Sequence, residues 1–249
     1  MNRYVKGGHR NIEVMKLWLV AALAVSCAAC APRGEDRGSG AGDPAPRVAA
    51  VATKAAAPAA ARPRVAVLGD SLTAGLGVAK AASYPSLLQE RLDAAGLDFE
   101  VVNAGVSGDT SAGGLARLDW ALDGDVRVLI VALGGNDGLR GLPAEELQGN
   151  LAQIIERGQA RGITVILAGM EAPPNYGRDY IVSFHKIYPA LAAKYRVALV
   201  PFLLQGVAGD ETLNQRDGIH PTAAGARIVA DNVWAVLKPI AEARRHPTR

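Results

Sequence analysis

Cysteine is nearly absent from this chain of 249 residues: Cys27 and Cys30 are the only two, and both lie near the amino end. A disulfide between them would staple nothing, and with no histidine cluster beside them they cannot complete a zinc site. Aromatic residues make up only 5%, so the core is expected to be built from Ala, Val, Leu and Ile. An excess of one charge is missing as well. The formal charge of +3 is carried entirely by residues 1–30, where Arg3, Lys6, Arg10 and Lys16 face Glu13. The remainder is neutral, which argues against a nucleic-acid surface. No apolar run reaches the roughly 20 residues needed to cross a bilayer. With 49% apolar and 20% charged residues, intrinsic disorder of the whole chain is excluded too.

The longest apolar run, LWLVAALAVSCAAC at 17–30, follows positive charge and ends in small residues. That is the layout of a secretory signal, and Met15-Lys16 directly before it offers an alternative translation start at Met15. AVSC resembles a bacterial lipoprotein processing box, in which the cysteine is acylated, so Cys27 and Cys30 are candidate lipidation sites. Plain cleavage that discards both is the alternative. Residues 31–63 are rich in Ala, Pro and Gly without apolar periodicity, and read as a linker.

Residues 64–249 suffice for one well-filled core. RVAVLGD (64–70), FEVVNAG (99–105), VRVLIVALG (126–134), ITVILAGM (163–170) and VALVPFL (197–203) read as buried parallel strands. Between them, segments beginning at Tyr84, Ala144 and Asp179 space apolar residues at helical intervals, and a last helix starts near Thr222. This alternation predicts an α/β fold, a doubly wound three-layer α/β/α sandwich of about five parallel strands.

In such sheets chemistry sits beyond the carboxyl ends of the strands. GDSLTAG after the first strand carries Ser71, whose hydroxyl is expected to project toward solvent as the chain leaves the sheet. A serine needs a base to become a nucleophile. Of the four histidines, His9 precedes the domain, His246 lies in the tail and His185 sits on a solvated helix face. His220 remains, in RDGIHP, with Asp217 three residues earlier to hold one ring nitrogen. With strand order 2-1-3-4-5 the fifth strand lies roughly 15 Å from the first. The connection from Gln205 extends to roughly 50 Å, so His220 reaches Ser71.

Acyl transfer also needs donors for a developing oxyanion. The N–H of Gly108 in NAGVSGDTS and the amide of Asn136 in GGNDG qualify; glycine turns are the bland reading of each. Asp70 is expected to fix the turn around Ser71, and Asp109 and Asp137 to pin their loops. Ser107 is a rival nucleophile that nothing else singles out. The loop EAPPNYGRDY, with Pro174, Asn175 and Tyr176, is long for a strand–helix joint and a candidate lining of an acyl pocket.

GDSL with Ser71, SGD with Gly108, GGND with Asn136 and DGIHP with Asp217 and His220 resemble the four blocks of the GDSL, or SGNH, hydrolase superfamily. APPNYG and FHKIYPALAAKY resemble its periplasmic branch of acyl-CoA thioesterases, lysophospholipases and arylesterases. The resemblance covers most of 64–249 and implies a flavodoxin-like sandwich. It also implies Ser71 as nucleophile, His220 as base, Asp217 as its orienter, and an oxyanion hole of Ser71 N–H, Gly108 N–H and Asn136. The activity implied is hydrolysis of small acyl esters, thioesters or lysophospholipids without a cofactor or metal. A carbohydrate O-acetyl esterase would use the same groups. The N-terminus departs from the branch, which carries a plain cleaved signal. A dinucleotide-binding domain is disfavoured by glycine spacing, and oligomeric state is not encoded in these motifs.

Overall fold

The computed structural model describes residues 62–244. Cys27, Cys30, the leader, most of the linker, His9 and His246 lie outside them. Five strands, β1 (Arg64–Gly69), β2 (Glu100–Gly105), β3 (Val126–Ala132), β4 (Thr164–Ala168) and β5 (Ala198–Val200), form one sheet in the order β2-β1-β3-β4-β5. Every pairing is parallel, with Val67 opposite Asn103 on one side and Ile130 on the other. The three inner strands are buried almost throughout, whereas the edge strands β2 and β5 are mostly half-buried, as continuous against broken apolar runs dictate.

Helices α2 (Tyr84–Ala94) and α8 (Ala223–Ala243) pack together, as do α3 (Ser111–Ala116), α6 (Ala144–Ala160) and α7 (Arg178–Tyr195). Thr222 caps α8 through its side chain, which accepts the N–H of Gly225. Among the described residues no helix is long and apolar enough to cross a membrane.

The strands stop earlier than their apolar runs. β3 ends before Gly134, whose φ of 113° takes the chain out of the sheet. β5 ends before Pro201, which has no N–H for the ladder. The ends of the runs therefore become the loops that carry polar groups. The core also departs from expectation: its largest buried side chains include Tyr84, Tyr188 and Phe184. Tyr176, Tyr180, Phe184 and Tyr188 form a chain of tilted ring contacts, 5.4, 5.9 and 6.0 Å between centroids, that runs into α7.

Candidate active site

Ser71 is the first residue of a four-residue helix, α1 (Ser71–Ala74), rather than part of an open turn. Asp70 caps it, its Oδ1 accepting the Leu72 N–H at 3.0 Å, and Gly75 ends it in the left-handed region. The helix is pressed onto the sheet rim: a Cβ on Gly105 would lie 2.3 Å from the Ala74 nitrogen. Asn103 Nδ2 also donates to the Thr73 carbonyl at 2.8 Å. Ser71 is thereby 9% exposed, so its hydroxyl is turned into the protein's cleft and not out to solvent as the turn reading expected.

His220 sits on the connection between β5 and α8. Its Nε2 is 2.8 Å from Ser71 Oγ, and its Nδ1 is 2.7 Å from Asp217 Oδ2. Asp217 Oδ1 accepts the backbone N–H groups of Ile219 and His220 at 2.9 and 3.0 Å. Those of His220 and Ile219, joined by the imidazole hydrogen bond, hold the Asp217 carboxyl down at about 2. A carboxylate only accepts, so Nδ1 carries the proton and Nε2 offers its lone pair to the Ser71 hydroxyl. Gln215 ties this loop to the first, its Nε2 donating to the carbonyls of Leu76 and Pro221.

Gly108 adopts a φ of 86°, a conformation that favours glycine. Asn136, in α5 (Gly135–Leu139), donates one amide hydrogen to the Asp109 carbonyl at 2.9 Å and the other toward Asp70 Oδ2 at a long 3.3 Å. Asp70 is 3% exposed, and burial pushes its carboxyl up to about 6, opposed by the Leu72 N–H and by His220. Ser71, Gly108, Asn136 and His220 all line one open cavity of about 520 Å³, whose walls include Leu72, Met170, Pro173, Phe202 and Leu204. That size falls within the roughly 300–1,000 Å³ of small-molecule sites.

Residues 67–228 match the model of the GDSL-like lipase/acylhydrolase family. The chain belongs to this family. Esterase TesA of Pseudomonas aeruginosa is 49% identical over 175 residues, 70% of this chain and 87% of its own. The thioesterase 1/protease 1/lysophospholipase L1 of Escherichia coli is 39% identical over 183 residues, 73% of this chain and 86% of its own. A crystal structure of TesA superposes with a TM-score of 0.69 at 47% identity, covering 71% of this chain and 99% of that one. The five-stranded sandwich is thus that of a GDSL hydrolase, and the protein is a serine hydrolase acting on carboxylic esters or thioesters.

Within this GDSL hydrolase the acidic neighbours of the four blocks hold structure. Asp70 fixes α1, Asp137 accepts the N–H and hydroxyl of Ser111, and Asp109 pairs with Arg117. Pro174 lines the cavity, but Asn175 and Tyr176 are not among its lining residues. Tyr176 instead donates to the Leu139 carbonyl at 2.8 Å and packs over Gly141. His185 is exposed on α7, with its Nδ1 2.7 Å from Glu171.

Several supporting residues give no signal in one sequence. Arg117 donates to the carbonyls of Ala104 and Gly69 at 2.6 and 2.7 Å and to Asp109, tying the ends of β1 and β2 to the Gly108 loop. Arg140 donates to the Gly108 carbonyl at 2.8 Å, and Tyr188 to the Leu133 carbonyl at 3.0 Å. Arg117 sits between α3 and the next short helix, Arg140 just past the end of α5 and Tyr188 within α7, none marked out by its neighbours in sequence. Only tertiary contact gives them a part in the site.

Proposed function

We propose that Ser71 attacks the acyl carbonyl of an ester or thioester while His220 Nε2 takes its proton. Asp217 keeps Nδ1–H in place and stabilises the imidazolium that forms. The oxyanion is met by the N–H groups of Ser71 and Gly108 and by the Asn136 hydrogen that points weakly at Asp70. Collapse expels the alcohol or thiol, which takes the proton from His220, and leaves an acyl group on Ser71. Water then repeats the cycle: His220 removes its proton, the acid leaves, and the proton returns to Ser71. The observation that carries this reading is the Ser71–His220–Asp217 line, 2.8 and 2.7 Å, whose first two members line a cavity with largely apolar walls.

The cavity's size and apolar walls favour arylesters, acyl-CoA thioesters or lysophospholipids over acetylated carbohydrate, whose acyl group would leave most of the apolar wall unfilled. A chain-length series of p-nitrophenyl and CoA esters tests both parts. Turnover rising beyond acetyl, and abolished in Ser71→Ala, is expected. Activity confined to acetyl would favour the carbohydrate reading, and full activity in Ser71→Ala would remove the mechanism. No cofactor or metal takes part in these steps.

Residues 1–30 direct export to the bacterial envelope, 31–63 serve as a linker, and 64–249 form the hydrolase domain. A lipid on Cys27 or Cys30 would tether the enzyme to the membrane; cleavage beyond both would free it in the periplasm. The mass of the mature amino terminus separates the two.

A further inference from the structure

The described residues expose seven large apolar side chains, and five of them follow a pattern: Leu76, Val106, Leu139, Tyr176 and Ile219, each 40–48% exposed. Each lies in the connection that follows a different strand, β1 to β5 in order, so all five stand at the carboxyl edge of the sheet. Leu76, Leu139 and Ile219 also line the 520 Å³ cavity, and Val106 and Tyr176 stand close in the chain to its lining residues Ser107 and Pro174, so the five side chains flank it. Trp120 is more exposed, at 63%, but it belongs to α4 (Leu118–Ala121), which leads into the amino edge of β3. Its neighbour Asp119 pairs with Arg157 and Arg161 near the end of α6, at that same amino edge.

We propose that this apolar edge docks the enzyme, cavity first, on a lipid surface. The partner follows from area and from shape. Five side chains exposed to this degree present on the order of 400 Å² of apolar surface. That is about half of the roughly 800 Å² a side that a stable protein interface takes. A flat protein partner would also seal the cavity, whereas a lipid surface leads straight into it, its acyl chains continuous with the apolar walls. Separate loop tips reach individually between headgroups, as anchors at a membrane interface do.

Charge does not carry the attachment. The exposed Lys80, Arg140, Arg178 and Arg216 on these loops are offset by carboxylates on the same loops, including Glu171, Asp179 and Asp217. Docking is therefore apolar and insensitive to salt. It does not depend on which ester the enzyme cleaves, since it concerns how the cavity meets its surroundings.

The chain's cysteine content supplies the test. In the full chain carrying Cys27→Ser, Cys30→Ser and Ser71→Ala, no cysteine remains, no lipid can be attached and no substrate is consumed. Val106→Cys or Trp120→Cys is then labelled with an environment-sensitive fluorophore and mixed with phosphatidylcholine vesicles. The label at 106 should shift to the blue and be quenched by bromolipids, equally at low salt and at 1 M, where the screening length is about 3 Å. The label at 120 should not respond. Adding Leu76→Ser, Leu139→Ser and Ile219→Ser, with circular dichroism unchanged, should reduce the shift at 106 severalfold. An equal response at both sites, no response at 106, or a blue shift that grows with protein concentration without vesicles would overturn the proposal. Because Ser71 is absent, failure here would leave the esterase mechanism untouched.

Discussion

Replacing Asp70 by Asn isolates the energetic cost of a buried carboxylate beside Ser71, the proposed nucleophile. Burial raises its pKa from 3.8 to about 6, so the folded protein holds this proton more tightly than the unfolded chain. Between about pH 4 and 6 the folded state therefore binds more protons, and stability falls as pH rises through that window. Above it the full cost remains: about two pH units, or about 3 kcal/mol. In Asp70→Asn the side-chain oxygen still accepts the Leu72 N–H, while the weak contact to Asn136 is lost at about 1 kcal/mol. The variant should be about 2 kcal/mol more stable at pH 8, or about 4–8 °C in Tm for a domain of this size. Near pH 4 its advantage should vanish or reverse. Thermal and urea unfolding from pH 4 to 8 provide the check. A variant less stable at pH 8, or a difference that does not vary with pH, would refute the reasoning.

Asn136→Ala should lower kcat by roughly 10²–10³ with a small change in KM, because the lost amide is the proposed donor to the transition-state oxyanion; steady-state kinetics on a p-nitrophenyl ester checks it, and an unchanged kcat would remove Asn136 from the proposed oxyanion hole. Gly105→Ala places a methyl 2.3 Å from the Ala74 nitrogen and must displace α1 with Ser71. It should cost about 1–3 kcal/mol of stability and most of the activity, whereas normal turnover in a destabilised variant would show that α1 tolerates the shift.

The sheet was legible because its inner strands are buried on both faces and their sequences, such as VRVLIVALG, are almost purely apolar. The strand order is only a supposition from sequence, since doubly wound sheets take more than one order, and the structure shows it to be β2-β1-β3-β4-β5. Short helices were not legible: α1, α3, α4 and α5 run four to six residues, too few for a periodic signal, and they exist because the sheet rim holds them. The proposed catalytic groups could be picked out by residue type, Ser71, Asp217 and His220 standing near glycines after strands, and the structure brings them within 2.8 and 2.7 Å of one another. Their support could not. Arg117 serves the carbonyls of Ala104 and Gly69, 13 and 48 residues away, and nothing in the joint between α3 and α4 marks it for that task. Tyr176 sits in the loop expected to line the acyl pocket, yet its ring turns onto Gly141 because a residue without a side chain leaves room there. Low aromatic content likewise concealed how those residues are used, in tilted contact with one another at and just before α7.

The central claim is that one hydroxyl, activated by His220, becomes covalently acylated. Reaction of the full chain with a fluorophosphonate, followed by peptide mass spectrometry, measures it most directly. A single adduct on Ser71, lost when His220 is replaced by Ala, is the predicted result. An adduct on Ser107, or undiminished labelling without the imidazole, would contradict the account.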